Sequence, residues 1–136
     1  MDGLIIKKKW LDLIVSGRKT LEIRGFDTHK INEPIYLLES GSHRVRAICK
    51  IKSSTLITKD KWGKYKNNAC LDMTFTDLNK WYKTAYAWEI TDIKPIEYIC
   101  YYSHPWGAVI WVKNVEPVDE EVYYVNVKWR NFRLII

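Results

Sequence analysis

The chain has 136 residues, of which 47% are hydrophobic, 28% charged and 14% aromatic. This length suits one domain, and the composition excludes the disordered, collagen-like and low-complexity classes. Residues 1–83 contain 17 basic and 9 acidic side chains, a larger excess than the net charge of +6 of the whole chain. Positive charge beside many aromatic rings favours a polyanionic partner, with nucleic acid the first candidate. A basic surface kept for solubility is the alternative.

The cysteines and histidines give no sign of a disulfide framework or a bound metal. Cys49, Cys70 and Cys100 are odd in number and far apart, and the three histidines lack the spacing of metal ligands. We therefore expect no metal and no cofactor. No apolar run reaches the roughly 18 residues of a membrane span, and the N-terminus lacks the apolar segment of a signal peptide. The sequence predicts a cytoplasmic protein without a membrane partner.

The N-terminal part of the chain contains three predicted elements. The apolar run 4–6 predicts a buried strand that leads into three lysines. Apolar pairs spaced four residues apart predict an amphipathic helix over 10–16, and Gly17 follows where a helix-closing glycine belongs. Strict alternation over 20–24 predicts a half-buried strand whose polar face carries a glutamate and an arginine.

A hairpin and two helices are predicted next. The segments 34–38 and 45–51 predict two strands that pair back across a Ser-Gly-Ser turn. A helix is predicted over 58–66, and Thr74 marks the start of another.

The remaining predicted elements are strands. The segments 86–93, 109–112 and 122–127 are rich in β-branched and aromatic residues. Strands and helices do not alternate regularly, which argues against a doubly wound parallel sheet. The sequence predicts an α+β fold, a small mixed but mostly antiparallel β-barrel with two or three helices on its rim. Residues 1–136 are expected to form a single domain.

The most informative stretch runs from residue 6 to residue 24. It reads I-K-x-x-W, then a helix that ends I-x-x-G, then K-x-x-E-x-R. This pattern resembles the signature of the ASCH family, a domain related to the PUA fold. The matching residues are Lys7, Trp10, Ile14, Gly17, Lys19, Glu22 and Arg24. The resemblance covers residues 4 to about 115 and leaves 116–136 as a C-terminal extension that is not placed on the family.

The resemblance implies a PUA-like β-barrel with a cleft between the barrel and the first helix, lined by the K-x-x-E-x-R segment. The family is associated with binding of RNA or other nucleic acids. Some small bacterial members hydrolyse modified cytidine, and at least one behaves as a ribonuclease.

The charged residues of this stretch also make chemical sense as a binding site. Lys19 and Arg24 can hold a phosphate, and Glu22 can accept a hydrogen bond from the amino group of a base. Trp10 can stack on a base, and Lys7 completes the predicted cleft. The alternative is an exposed salt-bridge strip, in which each pair contributes about 0–1 kcal/mol. If this face is a ligand site, its charges are placed for function and not for folding. Because exposed pairs contribute little to stability, replacing Lys19 or Glu22 with alanine is then expected to change stability by less than about 1 kcal/mol.

A second basic cluster lies in the segment 59–66, where four lysines alternate with two aromatic residues. Trp62, Lys64 and Tyr65 can contact a single-stranded nucleic acid through stacking and charge. In the alternative interpretation the two rings pack inward from a solvated helix. Trp106, beside a proline and a glycine, is a further candidate for stacking. The tryptophans at regular positions, Trp81, Trp88 and Trp111, are predicted to be core.

Two other functions remain open. Lys19 corresponds to the catalytic lysine of the ASCH enzymes that remove the acetyl group of N4-acetylcytidine, but those enzymes carry a threonine where this chain has Glu22. A hydrolase of a modified nucleoside, or a ribonuclease, that uses Lys19 and Glu22 is therefore the first alternative to binding. The second is a small phage or bacterial regulator that acts through a protein partner.

Overall fold

The computed structural model describes residues 1–126, which form eight strands and four helices. The strands are β1 (Gly3–Ile6), β2 (Leu21–Arg24), β3 (Pro34–Glu39), β4 (Val45–Leu56), β5 (Tyr86–Pro95), β6 (Cys100–Tyr101), β7 (Trp111–Val112) and β8 (Val118–Asp119). The helices are α1 (Lys8–Val15), α2 (Lys59–Tyr65) and α3 (Phe75–Trp81), and residues 120–126 form the described part of α4. In this part of the chain no helix has the length and apolar character needed to cross a membrane.

Six of the strands form one curled sheet in the order β2-β5-β4-β3-β1-β7. All neighbouring pairs are antiparallel except β1 and β3, which run parallel with Gly3 opposite Tyr36. The strands β6 and β8 form a separate two-stranded ribbon. The predicted α+β class and mostly antiparallel sheet are confirmed. Within residues 1–126 the sheet is a half-barrel, because its edge strands β2 and β7 do not pair with each other.

The first helix closes one side of the half-barrel. Its apolar side chains Leu11 and Ile14 share a face and are fully buried in a cluster that also contains Trp88 of β5. Gly17 follows with a φ of +85°, the left-handed conformation that was predicted for the end of this helix. The chain then turns directly into β2, so the end of the helix and the start of the strand are fixed relative to each other.

The second and third helices cover the β2 edge of the sheet. Trp62 of α2 and Leu78 of α3 are buried in a second cluster, together with Leu21 and Ile23 of β2. The predicted start of α3 is confirmed, since the Thr74 hydroxyl accepts a hydrogen bond from the backbone amide three residues later at 3.1 Å. This packing brings the end of α3 close to the same strand that carries the K-x-x-E-x-R residues.

Two of the predicted strands differ in the structure. The segment 122–127 is helical up to residue 126, and residue 127 lies outside the described residues. The reason is local, because the Asp119 carboxylate accepts a hydrogen bond from the Val122 amide at 2.8 Å and two glutamates occupy the first turn. This capping outweighs the β propensity of the following residues, so residues 1–126 contain four helices instead of the two or three predicted. The strand predicted over 109–112 is reduced to β7.

Candidate ligand-binding cleft

A cavity of about 620 Å³ opens at the seam of the half-barrel, where β2 approaches β1 and the residues just before β7. We call this cavity the cleft. Its wall also includes the start of α1 and the end of α3. The five cleft residues predicted from the sequence all line it, namely Lys7, Trp10, Lys19, Glu22 and Arg24. The seam is therefore the place where the motif residues come together.

Arg24 connects the two sides of the seam. Its Nη2 atom donates to the backbone carbonyl of Ile5 in β1 at 2.9 Å and to Glu22 Oε2 at 3.1 Å. The strands β1 and β2 are not hydrogen-bonded neighbours in the sheet. The Arg24 side chain connects them instead. Its guanidinium also lies over the buried Trp88 ring, 5.8 Å from the ring centroid.

Lys19 points into the protein and is only 1% exposed. Its ammonium group donates to the backbone carbonyl of Ala69 and lies 3.9 Å from Glu22 Oε1. The same nitrogen is 4.9 Å from the centroid of the Trp10 ring. The lysine is thus held by a carbonyl, a carboxylate and an aromatic face at once.

The expectation of an exposed charged strip is wrong. Glu22 is 5% exposed, and β2 is buried on both faces instead of one. The cause is the segment before Leu71, because the amides of Thr20 and Leu21 both donate to the Asn68 carbonyl, at 2.9 and 3.1 Å. This segment covers the start of β2 and encloses the charges behind it. The strip is a buried ionic cluster, which we call the Lys19–Glu22–Arg24 triad.

Burial changes the electrostatics of the triad. Loss of hydration lowers the pKa of Lys19, and the nearby Arg24 adds to this, while the Glu22 carboxylate acts in the opposite direction. Tyr82, which also lines the cleft, has its pKa raised by burial and by the negative charge of Glu22. A lysine that gives up its proton more readily than usual therefore lies beside a carboxylate and near a phenol.

The opening of the cleft is cationic and aromatic. Lys7 and Lys9 are exposed, and no carboxylate of the described residues lies within 4 Å of either ammonium group. The Lys9 ammonium lies 4.6 Å from the centroid of the Trp10 ring. Trp81 lines the cleft from the end of α3 with 61% of its surface exposed. These groups are free to meet a ligand that enters from solvent.

Tyr82 is a cleft residue that was not predicted, and the prediction that Trp81 is core is wrong. Helix α3 ends at Trp81, and Tyr82 continues in extended backbone, which directs both rings to the cleft. Gly25 matters here because a Cβ atom at that position would come within 2.9 Å of the Tyr82 ring. The other two tryptophans predicted to be core, Trp88 and Trp111, do stack inside the half-barrel with centroids 6.0 Å apart. The helical spacing gives no signal for this exposure, because Trp81 lies three residues after the buried Leu78 and would share its face.

The other predicted contact residues do not line the cleft. Trp62 is 3% exposed and its indole N–H donates to the Met73 carbonyl at 2.8 Å, so its ring belongs to the core and offers no face for stacking. Tyr65 is half-buried against the same cluster, and Lys64 is exposed beside it. Trp106 is fully exposed in a turn and contributes nothing to the cleft wall.

A second cavity of about 400 Å³ lies between the 102–105 segment, the loop before β8 and α4. Two imidazole rings, those of His43 and His104, stack within it with centroids 4.9 Å apart and planes 8° from parallel. His43 Nδ1 lies 2.9 Å from the Tyr123 hydroxyl of α4. The Tyr102 hydroxyl lies 2.7 Å from His104 Nδ1, and His104 Nε2 lies 3.0 Å from the Ala108 carbonyl.

These contacts determine the tautomer of His104. A backbone carbonyl only accepts, so Nε2 carries the proton and donates to Ala108. In the neutral ring Nδ1 is then the acceptor for the Tyr102 hydroxyl. Burial lowers the pKa of His43, and the neighbouring His104 lowers it further. We call these four side chains, His43, Tyr102, His104 and Tyr123, the imidazole–phenol cluster.

The chemistry available to the cleft is that of amines, a carboxylate and aromatic rings. In the described part of the chain no group of three or more histidine, cysteine, aspartate or glutamate side chains is arranged to hold a metal ion. A volume of about 620 Å³ lies within the range of pockets that hold small organic ligands, which is roughly 300–1,000 Å³. The cleft can therefore admit a ligand about the size of one nucleotide, with a cationic rim toward its phosphate.

Comparison with known proteins gives one consistent result. The family model described as the ASCH domain matches residues 4–128. The structure is similar to that of an ASCH protein from Zymomonas mobilis, with 15% identity, 93% of each chain covered and a TM-score of 0.61. A serine-to-alanine variant of the Zymomonas mobilis protein gives 13% identity, 94% of each chain covered and a TM-score of 0.65. None of the curated proteins matches the chain. At these identities the structures demonstrate a shared fold, and the family match reaches into the segment after residue 115.

Proposed function

The chain belongs to the ASCH domain family, and from that premise we propose that it binds RNA, or another single-stranded nucleic acid, in the cleft at the seam of the half-barrel. The family is generally linked to nucleic-acid binding. The proposal rests on the triad, which has one excess positive charge. It opens toward an exposed tryptophan and toward lysines that have no carboxylate partner among residues 1–126.

The cationic residues of the cleft fall into two groups, according to whether their hydrogen-bond donors already bond to other groups within residues 1–126. Lys19 and Arg24 already donate to backbone carbonyls and to Glu22, so part of their hydrogen-bonding capacity is used within the protein. The ammonium groups of Lys7 and Lys9 make no hydrogen bond or ion pair with any of the described residues, so all their donors remain available to a ligand. We therefore assign the rim lysines to phosphate contacts and the triad to the end of the ligand that reaches deepest.

The aromatic residues fit the same assignment. The rings of Trp10 and Trp81 lie at the wall and at the opening of the cleft. A nucleobase has a π-face that stacks on such rings, at about 1–3 kcal/mol for each base. The Glu22 carboxylate, which only accepts, would then favour a base with an amino group or a ring N–H.

The proposal is tested by binding of short RNAs to rim variants at several salt concentrations. If the complex neutralises about five phosphates, the logarithm of the association constant should fall with the logarithm of salt with a slope of about −3.5. The double variant Lys7→Ala/Lys9→Ala should reduce this slope by about 1.4, because two cations are lost. The matched control is Lys52→Ala/Lys94→Ala, which removes one exposed lysine from β4 and one from β5, both outside the cleft. A slope near zero, or equal effects of both double variants, would contradict binding in the cleft.

We propose in addition that the half-barrel is a PUA-like barrel, as the family resemblance implies. The curled six-stranded sheet and the Arg24 link across the seam support this classification. A reducing, cytoplasmic location is also part of the proposal, and it is supported by three cysteines that are all free thiols.

A second function, hydrolysis of a modified nucleoside or of RNA, is favoured by one observation. Lys19 is a buried amine whose pKa is lowered, and it lies 3.9 Å from a carboxylate, an arrangement that suits proton transfer. Against it, Thr20 provides the hydroxyl nearest in sequence but does not line the cleft. The test is turnover of N4-acetylcytidine, and of short RNAs, by the wild type and by Lys19→Met. Binding without turnover by the wild type excludes the enzyme, and turnover that Lys19→Met abolishes supports it.

A regulator that acts through a protein partner remains a prediction from the charge distribution. A protein partner held by an apolar interface would bind with little dependence on salt, in contrast to a nucleic acid.

A further inference from the structure

A second basic segment, residues 59–83, contains α2 and α3, and its lysines do not line the cleft. Residues 59–83 contain six lysines and three aspartates, and five of the lysines are exposed. One aspartate, Asp60, accepts a hydrogen bond from the Thr58 hydroxyl at 2.5 Å, and another, Asp77, is paired with Lys80 at 3.2 Å. A net positive surface remains, and it is separate from the triad.

The position of Trp62 fixes which way this surface points. Its buried ring and its hydrogen bond to Met73 hold α2 against the loop that leads to α3. Lys61 and Lys64 are three residues apart and therefore share a face of the helix that excludes Trp62. Both are exposed, and neither lies within 4 Å of a carboxylate of the described residues. Core packing thus presents these lysines to solvent.

The same segment also supplies three residues of the cleft wall, Leu71, Trp81 and Tyr82, so the lysines and the wall belong to one stretch of chain. The Lys66 carbonyl accepts a hydrogen bond from the amide of Leu71, a cleft residue, at 3.1 Å. At the other end of the segment, Lys80 and Lys83 flank the cleft residues Trp81 and Tyr82 in the chain. Lys66 at one end and Lys80 and Lys83 at the other are therefore close in the chain to residues of the cleft wall.

We propose that the outer face of α2 and α3 binds the phosphate backbone of the nucleic-acid strand that places one nucleotide in the cleft. This inference rests on the proposed function and specifies its ligand, which is a polynucleotide several units long and not a free nucleoside. The phosphates leave the cleft past Trp81 and continue along Lys61 and Lys64. Since lysines contact phosphates as point charges, this surface adds affinity without sequence preference.

The experiment measures affinity against ligand length. The probes are the four nucleoside monophosphates and fluorescent mixed-sequence RNAs of about 4, 8 and 12 nucleotides, a range that covers typical single-strand sites. For the wild type, affinity should rise with length. For Lys61→Ala/Lys64→Ala, the salt slope of the longest RNA should fall by about 1.4, while mononucleotide affinity stays unchanged. Both side chains are exposed, so folding is not at risk.

The control Lys52→Ala/Lys94→Ala should leave the length dependence intact. Equal affinity for a mononucleotide and the longest RNA, or a normal response of Lys61→Ala/Lys64→Ala to the longest RNA, overturns the inference but leaves the cleft proposal in place. Equal competition by polyglutamate would assign the surface to acidic polypeptides and overturn it as well. Failure of every nucleotide and RNA to bind would instead contradict the proposed function itself.

Discussion

The cleft keeps three charged groups inside the protein, whereas the second cavity is built on imidazole and phenol groups that bond to one another as neutral species. In the cleft, Lys19 and Arg24 surround one carboxylate, so the triad keeps an excess positive charge. In the second cavity both nitrogens of His104 are occupied by protein groups. The two regions therefore differ in what remains for a ligand.

The hydrogen bonds of the second cavity connect parts of the chain that are far apart in sequence. The imidazole–phenol cluster joins the turn before β4, the segment after β6 and the helix α4. Tyr123 also stacks on Tyr101 with centroids 4.5 Å apart. We interpret the role of this cavity as structural. Its polar side chains hydrogen-bond to one another and to the backbone, and these contacts hold α4 in place. The cleft, in contrast, combines buried charge with lysines at its rim that have no acidic partner among residues 1–126.

The largest expected effect comes from removing the carboxylate of the triad. Glu22→Ala leaves the buried Lys19 and the half-buried Arg24 without their counter-charge, and breaking a buried ion pair in this way costs about 3–5 kcal/mol. Urea unfolding at neutral pH measures the change in the free energy of unfolding. The control is Glu33→Ala, which removes an exposed partner of Lys30 and should cost about 0–1 kcal/mol. A loss below about 1 kcal/mol for Glu22→Ala would mean that the triad is hydrated after all.

A smaller loss is expected in the second cavity, where the groups are neutral. Tyr102→Phe removes the hydroxyl that donates to His104 Nδ1 and leaves a half-buried acceptor without this partner. The expected loss is that of one ordinary hydrogen bond, about 0.5–1.5 kcal/mol. The same unfolding measurement applies, with the exposed Tyr98→Phe as the control that should change nothing. If Tyr102→Phe cost as much as Glu22→Ala, the contrast between a charged and a neutral cavity would not hold.

Local patterns predicted much of the fold. The helix that ends at Gly17, the cap at Thr74 and the β3–β4 hairpin each depend on residues close together in sequence. The five predicted cleft residues were found through the resemblance to the ASCH signature, which lies within a single stretch of about twenty residues.

Features that depend on distant residues were not predictable in this way. The burial of Glu22 follows from the Asn68 segment folding over β2, which no alternation pattern within β2 reveals. The exposure of Trp81 follows from the end of α3 at the seam, and the seam exists only once the sheet has curled. In α4 a local signal is present, since Asp119 precedes two glutamates, but the β-branched and aromatic residues that follow favour a strand by propensity.

The smallest expected effect is on how the stability contributed by the imidazole–phenol cluster depends on pH. Burial, together with the neighbouring His104, lowers the pKa of His43 below its ordinary value of 6.5, so the folded state favours the neutral ring. The stability that this group contributes is present above pH 6.5 and is lost as the pH falls through the lowered pKa. The other titratable or charged groups around the cavity or beside His43 are Arg44, Tyr102, His104, Lys113, Glu116 and Tyr123.

The variant His43→Asn should flatten the pH dependence of stability in this window. Asparagine suits the backbone there, because His43 has a φ of +64° and asparagine tolerates the left-handed region better than most residues. Urea unfolding between pH 7.5 and pH 5 compares the wild type, His43→Asn and the exposed His29→Asn. We expect the wild type and His29→Asn to lose stability in parallel on acidification, and His43→Asn to lose less. Parallel curves for all three proteins would show that the pKa of His43 is the same in the folded and the unfolded chain. The contacts that hold α4 would then not depend on the protonation of His43.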